Sequence, residues 1–306
     1  DLSARHTLPT VLPVLRERFD RGELPVAQAS AALAAATADA ADRRALRRLE
    51  KALGDAKGAF TGVRTEIAAS LGRIGDQRAT RVLVAEYRRA RSHSLRYAER
   101  GHMLLALGRA GGDEARELLR EEFRSLDHPW DLGACALALA LAGDHTATPD
   151  LRARLEDQPE TYTPYGMTAL ALLNDAAAPG LVRAAVGAGR RDATLEEGAL
   201  ALALAAGERA LPDLLALWER GRRAEHFDSF AWAFQLADAE GSVAPLRAIA
   251  TGERDPMERA FAVLALGRMA APAPPLHRLA GRANPYGQSP TLLDLARWRD
   301  AAPLLD

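Results

Sequence analysis

A leucine recurs along the chain at nearly constant spacing, each time near the predicted end of a helix. Glycine, or a residue in its place, follows within four positions, often with an acidic residue next, as in Leu71 with Gly75 and Asp76. We call seven such residues the marker leucines: Leu71, Leu107, Leu139, Leu172, Leu204, Leu236 and Leu266. The steps between them are 36, 32, 33, 32, 32 and 30 residues. A unit of this length cannot bury its apolar face alone, so successive copies stack, which is typical of a solenoid.

The composition favours helices throughout this repeat. Apolar residues make up 48% of the chain and aromatic residues only 5%, with alanine- and leucine-rich tracts at 31–36 and 199–206. Alanine and leucine have high helix propensity, whereas the aromatic residues typical of strands are scarce. We expect an all-α protein with a single solenoid over residues 1–306. In it, 1–60 form N-terminal capping hairpins, 61–270 the core repeats and 271–306 a C-terminal cap.

Glycine, proline and aspartate divide the sequence into pairs of helices. The predicted hairpins are 8–21 with 24–38, 40–54 with 61–73, 77–91 with 95–109, 112–125 with 129–142, 147–156 with 163–174, 176–189 with 194–205, 208–221 with 227–239, 241–251 with 256–269, and 272–282 with 289–299. This gives about nine hairpins. In seven of them the second helix ends near a marker leucine.

Charge and cysteine usage narrow the classes of partner. The 40 basic and 41 acidic residues nearly cancel, which disfavours nucleic acid as a partner. Cys135 is the only cysteine, so we expect no disulfide framework and a buried, inert thiol.

The longest apolar runs, near 132–142 and 199–206, are shorter than the roughly 20 residues of a membrane span. We expect a soluble chain, cytoplasmic or exported after removal of a signal sequence, and the oligomeric state is not predicted.

Two further rows of residues keep register with the marker leucines. Glycine lies six residues earlier in four successive repeats, at Gly101, Gly133, Gly166 and Gly198, and predicts close approach of neighbouring backbones. Acidic residues lie eight before the markers, at Glu99, Asp131, Glu196, Asp228 and Glu258. This acidic row either stabilises helix starts through the helix dipole or contributes to binding.

Residues 63–76 read Val-Arg-Thr-Glu-Ile-Ala-Ala-Ser-Leu-Gly-Arg-Ile-Gly-Asp, and residues 105–113 and 264–269 repeat the Leu-Gly-Arg part. This pattern resembles the bacterial HEAT repeat, including the short-period type named after phycobilisome lyases, over about residues 24–270. The resemblance implies a right-handed α-α superhelix whose second helices line the concave face. Some HEAT-like proteins are enzymes, so the sequence is compared with two of these types, di-iron hydroxylases and DNA glycosylases. The His-Glu pairs of the di-iron hydroxylase type are absent from the sequence, and acidic helix starts disfavour the DNA glycosylase type.

Aromatic residues recur nine or ten positions before four of the marker leucines, at Tyr97, Trp130, Tyr162 and Phe227. Such residues either fill loops between repeats or act as interface hot spots. Together with nearby charged residues they form the predicted partner-binding set: Tyr97, Glu99, Arg100, Trp130, Asp131, Tyr162, Tyr165, Glu196, Glu197, Phe227 and Arg259. We predict no catalytic, cofactor-binding or metal-binding residue.

These features predict a non-catalytic scaffold that binds a protein or peptide on a concave helical face. The alternative is a lyase-type or other catalytic HEAT-like protein that positions a small molecule in its concavity. A third interpretation is a structural spacer within a larger chain. An open groove would favour the scaffold, whereas a closed pocket with convergent polar groups would favour the enzyme.

Overall fold

A computed structural model describes residues 61–91, 97–157, 163–188, 192–221, 223–237 and 240–270, together with Glu17, Arg21, Glu50, Lys51 and Leu53. The regular structure of these described residues is entirely helical, which confirms the all-α prediction for them. They belong to two compact units, unit 1 with the described residues up to Gly143 and unit 2 from Asp144 onward. The predicted caps, 1–60 and 271–306, lie outside the described residues apart from the five single positions. The single continuous superhelix stays a prediction.

Unit 1 consists of two layers of helices. Its helices are α1 (Thr61–Ile74), α2 (Gln77–Arg91), α3 (Tyr97–Ala110), α4 (Asp113–Ser125) and α5 (Pro129–Leu141). Helices α1, α3 and α5 pack side by side in a row, while α2 and α4 pack across them as the other layer. We call the helices of the first layer row helices.

Unit 2 repeats this arrangement. Its helices are α6 (Thr148–Asp157), α7 (Thr163–Leu172), α8 (Ala178–Ala188), α9 (Asp192–Ala206), α10 (Leu211–Arg220), α11 (Ala224–Ala237), α12 (Val243–Thr251) and α13 (Pro256–Ala270). The row helices are α7, α9, α11 and α13, each packed on the next, and α6, α8, α10 and α12 form the other layer. The helix bounds match the sequence prediction to within a few residues.

The glycine four residues after a marker leucine ends a row helix. Gly75 and Gly111 have φ of 62° and 68°, the left-handed region that a residue without a Cβ adopts most readily. Their N–H groups donate to the carbonyls of Leu71 and Leu107 at 3.2 and 3.0 Å. Asn174, with φ of 53°, takes this left-handed position in a repeat that lacks the glycine.

The acidic residue after this turn begins the next segment. The Asp76 carboxylate accepts a hydrogen bond from the N–H of Ala79 at 2.6 Å. Asp144 accepts one from the N–H of Thr146 at 3.2 Å. These carboxylates satisfy amides that the first helical turn leaves without partners. The recurring pattern is therefore a left-handed helix end followed by a capped helix start.

The sequence also predicts a core-facing row, because the residue three positions before each marker leucine is apolar. Six of its members are fully buried: Ala68, Leu104, Ala136, Ala169, Ala201 and Ala233. The prediction is wrong for the seventh, Val263 on α13, which is 58% exposed. Helix α13 is the last row helix among the described residues.

Close contacts between the backbones of row helices occur one residue after a marker leucine. A Cβ built on Gly72 of α1 would lie 2.8 Å from the carbonyl oxygen of Ala106 on α3. A Cβ on Gly108 of α3 would lie 2.4 Å from that of Ala138 on α5. Both distances are too short for a side chain, so these glycines permit the backbones of neighbouring row helices to approach.

The four glycines of the predicted row are all buried, at Gly101, Gly133, Gly166 and Gly198. The environment of Gly198 corrects the prediction of close backbone approach at this position of the row. A Cβ on Gly198 would lie 2.2 Å from Cγ2 of Val186, a side chain of α8 in the other layer. Gly198 therefore makes room for a β-branched side chain, which has little rotamer freedom to move away.

Candidate functional site

Neighbouring row helices run parallel, which places their starts at one edge. In unit 1 the contact of Gly108 with Ala138 lies near the ends of α3 and α5, and an ion pair between Arg100 and Asp131 lies near their starts. In unit 2 the starts of α9 and α11 meet where Glu196 approaches His226, at 3.9 Å. Residues that the sequence assigns to helix starts are thus brought together within each unit.

At the helix starts of unit 1, Asp131 is a packing residue. Its carboxylate is fully buried in the first turn of α5, and Oδ2 lies 2.8 Å from Nη1 of Arg100 on α3. Burial raises the pKa of the Asp131 carboxyl, and the positive charge of Arg100 opposes this rise. The prediction that Asp131 contacts a partner is therefore corrected, because a fully buried carboxylate cannot reach one. Arg100 retains 21% exposure of its side chain.

Several predicted binding residues are not tested. Tyr97 and Glu99 lie in the first turn of α3 and Trp130 in that of α5, but their side chains are outside the described part of the structure. Tyr162 is itself outside the described residues. Their role in binding stays a prediction.

Phe227 lies in the core of unit 2. Its ring centroid is 4.9 Å from that of Trp218 on α10, and it also stacks on Phe261 of α13 at 6.2 Å. Phe230 and Phe234 pack on the same indole and are fully buried. The prediction that Phe227 contacts a partner is therefore corrected. Sequence spacing did not reveal that Trp218, in the other layer, organises these rings.

The accessible members of the predicted set lie in unit 2. Tyr165 of α7 and both Glu196 and Glu197 of α9 are partly exposed, and Arg259 of α13 is exposed. They occupy the early turns of row helices, so they share one edge of the unit. This edge carries both negative and positive groups.

Arg268 forms a contact that sequence reasoning missed. Its guanidinium lies 3.9 Å above the ring of Trp232 on α11, and Nη2 is 3.1 Å from Oδ1 of Asp228. A cation over an indole face is attracted by the ring quadrupole. Asp228 thus belongs to a link between α11 and α13. The available signal was the position of Arg268 two residues after its marker leucine, where Arg73 and Arg109 stand in the other complete motifs.

The acidic row consequently has a third role besides the two predicted from sequence. Asp131 and Asp228 each form an ion pair with an arginine of a neighbouring row helix, Arg100 and Arg268 respectively. Both pairs are largely buried, so removal of one partner would leave an uncompensated charge. These two carboxylates connect repeats in addition to lying near helix starts.

A second polar cluster connects α2 and α4, which belong to the same layer of unit 1. The Tyr87 hydroxyl on α2 donates to Oε2 of Glu122 on α4 at 2.7 Å, and Nη1 of Arg91 lies 2.7 Å from Oε1 of the same carboxylate. Burial raises the pKa of Tyr87, as does the hydrogen bond to Glu122. Cys135 of α5 is fully buried, and desolvation raises its thiol pKa. The expectation that this thiol is buried is confirmed.

No protein-family model matches the chain, and no curated protein is significantly similar to it. Within the described residues, no group of three or more histidine, cysteine, aspartate or glutamate side chains is arranged to hold a metal ion. Among the same residues, every helix is too short or too polar to cross a bilayer.

Proposed function

We propose that the protein is a non-catalytic scaffold of HEAT-like repeats that binds a protein or peptide on its row helices. In this proposal the row helices form the concave face of an α-α superhelix, as the sequence resemblance implies. The partner contacts the edge where the row helices start.

The observation that carries the proposal is the accessible, mixed charge at this edge of unit 2. Glu196 and Glu197 project from α9 and Arg259 from α13, all at least partly exposed. A peptide with charges of both signs could complement such an edge, since the acidic groups attract its basic side chains and Arg259 can take a carboxylate. Tyr165 adds a partly exposed aromatic side chain, a residue type enriched at interface hot spots.

The binding surface in the proposal is smaller than the set predicted from sequence. Asp131 and Phe227 are left out because they are buried. In unit 1, Arg100 contributes the exposed part of its side chain, and Tyr97, Glu99 and Trp130 are kept as predicted contacts. Tyr162 is also kept as a predicted contact.

The experiment is affinity capture from a native lysate with the wild-type chain and a neutralised variant, Glu196→Gln with Glu197→Gln. The matched control is Glu208→Gln with Glu240→Gln, which removes the same charge from two exposed positions outside this edge. Thermal melts establish that all three proteins are folded.

A partner captured by the wild type and the control, but lost or strongly reduced with the neutralised variant, supports the proposal. Equal capture by all three proteins would mean that the partner does not bind at the edge that carries Glu196 and Glu197. If no protein or peptide is captured specifically, the scaffold function itself is wrong.

A further inference from the structure

The outer faces of α2 and α4, neighbouring helices in the same layer of unit 1, carry opposite charges. The exposed positions of α2 include Arg81 and Arg88, which we call the basic stripe. Those of α4 include Glu114, Glu117 and Glu121, which we call the acidic stripe. Residues three, four or seven apart share one face of a helix, so each stripe is a continuous surface.

The charges of the two stripes differ from the paired charges around them. Three other arginines of α2 already have carboxylate partners, in the pairs Arg78–Glu50, Arg89–Glu86 and Arg91–Glu122. Within the described part of the chain, neither the basic stripe nor the acidic stripe forms an ion pair. Two unpaired positive charges therefore lie on the helix next to three unpaired negative charges.

Helices α2 and α4 run parallel in a fixed register. Near the start of α2, the Thr80 hydroxyl donates to the carbonyl of Gly111, two residues before α4 begins, at 3.3 Å. Farther along, the Tyr87 hydroxyl donates to Oε2 of Glu122 at 2.7 Å. The contacting residues are 31 and 35 positions apart in the sequence, so residues about 33 positions apart lie at the same height along the two helices.

This register places the two stripes level with each other. Arg81 and Glu114 are 33 positions apart in the sequence, and Arg88 and Glu121 are separated by the same number. Both stripes thus have charges seven residues apart at the same two heights. A second copy that presents its acidic stripe to the basic stripe at equal height can pair both arginines at once.

We propose that two copies of this chain associate through the outer faces of α2 and α4, about a two-fold axis parallel to these helices. Rotation about such an axis keeps every residue at its height, so α2 of each copy lies on α4 of the other. Arg81 then faces Glu114 of the second copy. Arg88 faces Glu121 in the same way, and the symmetry repeats both pairs. A two-fold axis across the helices would place like charges on like, which is repulsive.

The terminal parts of the sequence lack the spacing that this face needs. To pair with Arg81 and Arg88 in the same register, a helix must carry two acidic residues seven positions apart. No two aspartate or glutamate residues have this spacing within 1–60 or within 271–306. The acidic stripe of α4 has it, in Glu114 and Glu121. A second copy therefore supplies the complementary charges that the ends of the same chain do not.

The test is sedimentation equilibrium of the full chain at about 50 mM and about 500 mM salt. We expect a reversible dimer at low salt whose dissociation constant rises about tenfold or more at high salt, because salt screens exposed ion pairs. The inference does not rest on the proposed function, since the face lies in the layer opposite the row helices.

Charge reversal tests the two stripes separately. The variant Arg81→Glu with Arg88→Glu should be monomeric because two acidic stripes repel each other. The variant Glu114→Arg with Glu121→Arg should be monomeric as well. An equimolar mixture of the two variants should dimerise again, because it restores opposite charges at all four contacts. Recovery in the mixture also shows that both variants are folded.

The matched control is Arg209→Glu with Arg247→Glu, which reverses two exposed arginines of unit 2. It changes the net charge by the same amount and should leave the dimer unchanged. Cysteines test the axis: chains with Arg88→Cys and chains with Glu121→Cys should form a disulfide-linked heterodimer when mixed and oxidised, and neither should do so alone. The native thiol, Cys135, is fully buried.

A full chain that stays monomeric at low salt overturns the inference, as would happen if another segment or a different protein occupied this face. A dimer that Arg81→Glu with Arg88→Glu retains, or that the control variant weakens equally, also overturns it. A mixture of the two reversed variants that stays monomeric, or the absence of the heterodimeric disulfide, rejects the parallel axis and with it the proposed pairing.

Discussion

Gly108 of α3 and Ala138 of α5 approach so closely that a Cβ on Gly108 would lie 2.4 Å from the Ala138 carbonyl oxygen. The contact joins neighbouring row helices through their backbones. Gly72 and Ala106 repeat it between α1 and α3. Gly72 and Gly108, each one residue after a marker leucine, are therefore packing residues. Gly75 and Gly111, each four residues after a marker leucine, are turn residues.

The Gly108→Ala variant should lower the free energy of unfolding by about 1 to 3 kcal/mol, because the added methyl group overpacks a contact made by backbone atoms. Gly267→Ala is the matched control, because Gly267 of α13 and Gly108 of α3 lie in the same pentapeptide, Leu-Ala-Leu-Gly-Arg. With open space above it, this change should be neutral or stabilise the protein by up to about 1 kcal/mol through helix propensity. Urea unfolding measures both, and equal effects would contradict the close-contact interpretation.

The Gly198→Ala variant should destabilise unit 2 because its Cβ would lie 2.2 Å from Cγ2 of Val186. Shortening the neighbour should relieve the clash, so Gly198→Ala with Val186→Ala should lose less stability than the two single changes predict together. We expect a coupling free energy of at least about 0.5 kcal/mol in this double-mutant cycle. Additive effects would place the strain elsewhere.

The Asp131→Asn variant should change how stability depends on pH. Burial raises the folded-state pKa of Asp131 above its unfolded value of about 4, so the folded state binds the proton more tightly. The stabilisation from this group is therefore complete below the unfolded pKa and is lost as the pH rises through the folded pKa. Asparagine cannot titrate.

The test of this prediction is urea unfolding of both proteins from pH 4 to pH 7. The free energy of unfolding of the wild type, measured relative to Asp131→Asn, should fall as the pH rises. A difference that is constant or that grows with pH would show that the Arg100 ion pair outweighs the effect of burial.

The Phe227→Ala variant should cost about 3 to 5 kcal/mol of stability, because it leaves a cavity beside Trp218 in a fully packed core. Phe227→Leu, which retains more of the volume, should cost clearly less. Thermal denaturation distinguishes the two. A Phe227→Ala protein as stable as the wild type would restore the interpretation of Phe227 as a surface residue.

The sequence by itself determined the helices and their ends. The turn glycines, the capping aspartates and the apolar row before the marker leucines depend on φ angles, local hydrogen bonds and helical periodicity, all of which are set within a few residues. This is why the predicted bounds of α5 and α13 agree with the structure to one residue.

Only the tertiary structure decided which helix surfaces meet. It assigned close contact to Gly72 and Gly108, buried Phe227 beside Trp218, and paired Arg100 with Asp131 across two repeats. Helical periodicity determines which residues of one helix share a face. The distance from that face to a neighbouring backbone depends on side chains some 30 residues away in the sequence. The same pentapeptide therefore became a buried contact in α3 and an open surface in α13.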